Sequence, residues 1–133
     1  MLSDYELINE AKAARANAYA PYSGFAVGAA LVTGSGQLYR GCNVENASFG
    51  LTTCAEQAAV AVAVAAGDAK LVKLAIVTDS DTPTPPCGRC RQVLAEFAPN
   101  LEIIAVTIGG KSASYRLNEL LPHPFKEHLG NAR

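Results

Sequence analysis

Apolar residues recur along this chain at two spacings, one helical and one alternating or continuous, and the switches between them mark the elements. Near the start, Ser3-Asp4-Tyr5-Glu6 has the form of a capping box, and Leu7, Ile8, Ala11, Ala14 and Ala18 follow at helical intervals. This predicts a helix over about residues 4–19, ended before Pro21, because a proline pushes its predecessor out of the helical region. "FAVGAALVTGSGQLYRG" gives two apolar runs joined by a Gly-Ser-Gly turn, which predicts a hairpin. After the turn-rich "GCNVENASFGLTT", the Ala-dominated "CAEQAAVAVAVAAG" predicts a buried helix over about residues 54–66, with Gly67 as its stop. "KLVKLAIVT" is a strand and "DSDTPTPP" a loop stiffened by proline. "CGRCRQVLAEFA" is a third helix, closed by Pro99. "LEIIAVTIGGKSASYRL" gives two strands around a Gly-Gly turn, and a short "LNELL" helix follows. The order α-β-β-α-β-α-β-β-α predicts an α/β fold, a mixed sheet with helices on its faces. No repeat, low-complexity tract or linker interrupts residues 1–133, so one domain is expected.

Composition narrows the function classes. Of the 133 residues, 50% are hydrophobic and 7% aromatic, enough for one ordered core. The net charge is −1 with basic residues scattered, which offers no electrostatic footprint for nucleic acid or an anionic membrane. "MLSDYELINE" has no basic segment followed by an apolar one, and "AAVAVAVAAG" is too short to span a bilayer. A cytoplasmic protein is therefore expected, and cysteines in a reducing compartment more often hold metal or do chemistry than form bridges. Gly34-Ser35-Gly36 lacks the third glycine and following helix of a dinucleotide site, so it is a plain turn.

Cys54, Cys87 and Cys90 share a setting: each begins a predicted helix or lies in its first turn. Positions 87 and 90 face one side once the helix starts, and helix N-termini lower the pKa of a thiol placed there. Three such thiolates make a soft-ligand zinc site. A structural site would want a fourth ligand. Cys42 is the spare cysteine, expected as a small buried hydrophobe, and His123 and His128 have no metal-ligand spacing. Three ligands with an open fourth position are the pattern of catalytic zinc. Glu56 follows Cys54 by two residues. Regular helical geometry would point these side chains apart, but a helix-start residue need not be helical. The carboxylate can then lie near the metal without ligating it, as a proton carrier must.

At "CAE" and "PCGRC" the chain resembles the zinc-dependent deaminases, whose signature is well described. Through "YAPYSGFAVGAAL", "GCNVEN", "CAEQAA", "PCGRCRQVLAEF" and "LNELLPHPF" it is most similar to the small homotetrameric cytidine deaminases of pyrimidine salvage. The resemblance implies a three-layer α-β-α fold with a mixed five-stranded sheet, one Zn²⁺ per subunit on Cys54, Cys87 and Cys90, and a nucleoside substrate. It further implies that a zinc-activated hydroxide adds to C4 of cytosine with Glu56 as proton shuttle. Asn43 and Glu45 would hold the ribose hydroxyls with Val44 between them, Phe25 would lie against the pyrimidine, and the Ala55 backbone would meet the base. Phe49 and Phe125 would reach a neighbouring subunit's pocket.

One position departs from the family. Many relatives carry an arginine immediately after the glutamate, where it can donate to the thiolates, and here that residue is Gln57. Arg89 and Arg91 are the nearby cations in sequence, and one of them, with the helix N-termini, is expected to offset the excess negative charge. Blasticidin-type deaminases share "PCGRCRQVL" but lack a close match to "PYSGFAVGAA" followed by "NVEN". A structural zinc module would leave Glu56 without a role. A redox pair at Cys87 and Cys90 would leave Cys54-Ala55-Glu56 unexplained.

Overall fold

The structure, a computed structural model, describes residues 2–126, so His128 lies outside the described residues. Helix α1 (Asp4–Arg15) opens with the expected capping box: Ser3 Oγ accepts from the Glu6 N–H and Glu6 Oε1 accepts from the Ser3 N–H, each at 3.1 Å. It stops at Arg15, a turn short of the predicted end. The Tyr19 N–H donates to Asn43 O at 2.9 Å and the Glu45 N–H to Tyr19 O at 2.8 Å. Interstrand-type pairing with a distant segment thus takes the backbone groups that would have extended the helix.

Five strands follow: β1 (Val27–Thr33), β2 (Leu38–Cys42), β3 (Leu71–Thr78), β4 (Glu102–Thr107) and β5 (Ser112–Arg116). They form one sheet in the order β2-β1-β3-β4-β5, with β3 and β4 parallel and the other neighbours antiparallel. The parallel pair requires a crossover, supplied by α3 (Gly88–Phe97). Helix α2 (Ala55–Ala65) connects β2 to β3, and the short α4 (Leu117–Leu120) follows β5.

Alternation along the strands divides the core. Ala29 and Leu31 of β1, Leu74 and Ile76 of β3 and Ile103 of β4 face α2, α3 and α4 with Ala55, Ala59, Ala63 and Leu94. Ala30, Val32, Ala75, Val77, Ile104 and Val106 face the other way, against Leu7 and Ala11 of α1. The central strands β1, β3 and β4 are covered on both sides, which is why their sequences are almost continuously apolar, whereas the edge strands β2 and β5 are partly exposed and more polar. These are the three layers expected.

Close helix–sheet contact depends on two glycines. A Cβ on Gly28 would lie 2.0 Å from Ala11 O, and one on Gly41 would lie 2.4 Å from Ala55 O. The second contact seats the first turn of α2 directly on β2.

Candidate metal centre and adjoining cavity

Cys54 and Cys87 are the N-caps of α2 and α3, both in extended backbone (φ −75°, ψ 155° and φ −65°, ψ 168°). Cys90 lies in the first turn of α3 and is fully buried. The three sulfurs lie within 4.8 Å of one another. Tetrahedral zinc–thiolate geometry, with bonds of about 2.3 Å, sets sulfurs roughly 3.8 Å apart, so small rotations would seat the ion. The donor set fits as well: three soft sulfurs at two helix N-termini, with no fourth cysteine, histidine or carboxylate joining the cluster among the described residues.

The extended conformation of Cys54 solves the spacing problem with Glu56. Because Cys54 is not helical, its side chain does not follow the i, i+2 divergence, and Cys54, Ala55, Glu56 and Cys87 all line one cavity of about 220 Å³. Glu56 is only 6% exposed, and burial pushes its carboxyl above the usual carboxylate range. Burial likewise pushes the Cys54 and Cys90 thiols up, and the charges of Glu56 and Cys87 add to both shifts, while a hydrogen bond with Cys90 partly offsets the rise at Cys54. Burial also acts against the Cys87 thiolate, yet hydrogen bonds from the Cys90 backbone and thiol hold Cys87 below its ordinary value. A divalent cation would reverse both raising causes at once, since it rewards the charged form of each donor.

The rest of that wall is Phe25, Val27, Asn43, Thr52, Ile76, Thr78, Thr84 and Pro85. Asn43 is buried and already engaged: its Oδ1 accepts from the Val27 N–H at 2.9 Å and its Nδ2 donates to Phe25 O at 2.8 Å. Glu45 Oε1 accepts from the N–H groups of Tyr22 (2.9 Å) and Ser23 (3.1 Å), while Oε2 accepts from the Ser23 hydroxyl. Those hydrogen bonds, the Ser23 hydroxyl foremost, hold the Glu45 carboxyl below its usual range. Val44 turns its side chain out and pairs its backbone with Thr53. A second hollow of about 380 Å³, lined by Tyr22, Ser23, Glu45, Phe49 and Thr52, adjoins the first through Thr52. Phe49 sits in a single 3-10 turn over Phe49–Leu51, is 72% exposed, and meets Tyr22 edge-on at 5.9 Å. Phe125 is 73% exposed, its backbone clamped by the Gln92 amide at 2.9 and 3.0 Å.

The charge offset expected of an arginine has a different appearance here. Arg89 is exposed, while Arg91 aims Nε at Pro86 O (2.7 Å) and Nη1 at Leu120 O (3.1 Å). Arg91 thus fastens the chain just ahead of Cys87. A neutral side chain reaches a sulfur instead: Gln57 Nε2 donates to Cys90 Sγ at 3.8 Å. Sequence reasoning noted Gln57 only as a missing arginine. It also passed over Ser23 and the hydroxyl cluster of Thr78, Ser80 and Thr84, which ties the proline-rich loop to the end of β3. Polar residues in turn-rich stretches carry no periodic signal. Cys42 is half-buried beside a shallow crevice with Ala14, Asn17 and Arg40.

Residues 1–106 match the family model described as the cytidine and deoxycytidylate deaminase zinc-binding region. A cytidine deaminase of Halalkalibacterium halodurans is 47% identical over 120 residues, covering 90% of this chain and 91% of that one. A cytidine deaminase of Mycobacterium tuberculosis is 44% identical over 119 residues, covering 90% and 86%. The crystal structure of a cytidine deaminase from Burkholderia pseudomallei superposes with a TM-score of 0.90 at 46% identity, covering 93% of this chain and all of that one.

Proposed function

The chain belongs to the cytidine and deoxycytidylate deaminase zinc-binding family, and on that premise we propose that it hydrolyses cytidine and 2′-deoxycytidine to uridine and 2′-deoxyuridine, releasing ammonia in pyrimidine salvage. The observation that carries this reading is a cluster of three cysteine sulfurs that opens, through Cys54 and Cys87, onto a cavity also lined by the buried carboxylate of Glu56. Cys54, Cys87 and Cys90 would hold Zn²⁺, whose Lewis acidity lowers the pKa of a water to about 7 when the ion is bound.

Glu56 is the proton carrier. It accepts a proton from the water and delivers it to N3 of cytosine as the oxygen bonds to C4. A second proton, from the new C4 hydroxyl, is carried to the exocyclic nitrogen, whereupon the C4–N bond breaks, its electron pair leaves with ammonia and the C4 carbonyl forms. The C4–N bond is replaced by a C4=O bond with no net oxidation or reduction. Burial favours the protonated form of Glu56, so the side chain can hold a proton between the two transfers. Phe25 forms the wall against the pyrimidine, and the Ala55 backbone meets the base edge. Asn43 keeps one N–H and one lone pair beyond its two backbone hydrogen bonds, enough to pair with a sugar hydroxyl, and Glu45 accepts from another.

The enzyme would act as a cytoplasmic homotetramer. No helix among the described residues is long and apolar enough to cross a membrane. Val62 and Val64, both exposed on α2, with Leu51, Phe49 and Phe125, present apolar surface that neighbouring copies would cover, and the two phenylalanines would complete a neighbour's pocket.

The test follows the ultraviolet change on mixing protein with cytidine, before and after chelation and Zn²⁺ return. Turnover that vanishes and recovers supports the reading, and a zinc-replete protein inert toward cytidine ends it. Glu56→Gln should keep its zinc and lose about 10²- to 10⁴-fold in kcat.

A further inference from the structure

Ser23 stands where the two hollows meet. Its single hydroxyl proton goes to Glu45 Oε2, and its oxygen accepts the Phe25 N–H at 3.0 Å. Glu45 belongs to the second hollow and Phe25 to the metal-side cavity, with Ser23 itself in the second and Thr52 in both. One hydroxyl therefore joins a carboxylate in one compartment to the backbone beneath an aromatic ring in the other. A carboxylate has about four lone-pair sites. Two N–H groups occupy Oε1 and the serine hydroxyl occupies one site on Oε2, leaving Oε2 able to accept a single further donor. The serine decides where that remaining site points.

We propose that Ser23 is a positioning residue that sets the sugar-facing carboxylate of Glu45 and the base-facing ring of Phe25 in one register, so that both halves of a nucleoside are gripped together. This rests on the nucleoside deaminase reading. Ser23 is exposed, and water can replace its hydrogen bonds in the free protein, so its removal leaves the fold intact. What is lost is orientation, and that appears in substrate binding.

The experiment compares Ser23→Ala, Ser23→Thr and Ser23→Cys in zinc-loaded full-length protein, with cytidine and with 2′,3′-dideoxycytidine, which lacks the sugar hydroxyls Glu45 would hold. KM for cytidine should rise about tenfold in the alanine and cysteine variants, with kcat within about threefold of wild type. Threonine, which keeps the hydroxyl, should restore KM. With dideoxycytidine the alanine penalty should shrink to about threefold, because the Glu45 contact is already gone and only the setting of the Phe25 ring is left to lose. Zinc content and Tm monitor folding, and the cysteine variant, close to serine in volume, carries the test if alanine misfolds. An unchanged KM, a loss confined to kcat, or an equal penalty on both substrates overturns the proposal. Wild-type protein inert toward cytidine would sink the functional reading as well, and is told apart by needing no variant.

Discussion

A methyl group added at Gly41 would probe how closely the active helix rides on the sheet. The new Cβ would lie 2.4 Å from Ala55 O, 2.5 Å from Ala59 N and 3.0 Å from Ala58 Cβ, where ordinary contact begins near 3.4 Å. The two tightest neighbours are backbone and cannot rotate away, so β2 and α2 must part by about 1 Å. Overpacking of this kind costs about 1–3 kcal/mol. For a domain of this size that lowers Tm by roughly 4–11 °C. The displaced turn carries Cys54, Ala55 and Glu56, and a 1 Å shift at a reacting centre can cost about 10²-fold in rate. Gly41→Ala should therefore lower both Tm, by calorimetry, and kcat/KM for cytidine. Gly109→Ala, in the turn between β4 and β5, is the control, since a Cβ there meets only the Thr107 hydroxyl at an ordinary 3.8 Å. A Gly41→Ala protein with wild-type Tm would refute the packing argument. One that melts early yet turns over normally would refute the link between this contact and the catalytic geometry.

Two further outcomes are expected. Arg91→Ala removes the donor to Pro86 O and leaves a buried carbonyl short of a partner, at about 1–3 kcal/mol; zinc should pass to a competing chelator sooner than in wild type, while Arg89→Ala stays near wild type. Equal retention in both variants would show that fastening Pro86 does not steady Cys87. Asp68 accepts the hydroxyls of Thr33, Ser35 and Tyr39, which hold its carboxyl below the ordinary 3.8. A group with a depressed folded-state pKa contributes stability that is present above its unfolded pKa and lost as pH falls through the folded value. The Tm gap between wild type and Asp68→Asn should thus be full at neutral pH and close below about pH 4; a gap independent of pH would count against the hydroxyl cluster.

The strands, the glycine turns and the placing of three cysteines at helix starts were all legible in the sequence, because each rests on local pattern. The end of α1 was not. Pro21 marked the last residue a helix could reach, but Tyr19 pairs with Asn43 and Glu45, a contact between segments far apart in the chain. The same separation hid the engagement of Asn43 by the 25–27 backbone and of Glu45 by Ser23. Gln57 shows the limit in another way. Its spacing from Cys54 said nothing of Cys90, because the contact depends on how α2 and α3 pack at their N-termini.

Where its helices ride closest on the sheet, the core of this enzyme relies on residues with little left to lose. Gly28, Ala29, Ala30, Gly41, Ala55, Ala59, Ala63, Ala75 and Ala105 are all buried, several of them wholly. In most proteins inherited damage to the interior takes the form of truncation, which opens holes. At these small-residue sites the only available injury is enlargement, so drift there is nearly one-directional and blocked. Lineages carrying this scaffold should diversify at their periphery while the small residues stay fixed, because layers already this near each other leave nowhere for an extra carbon to go.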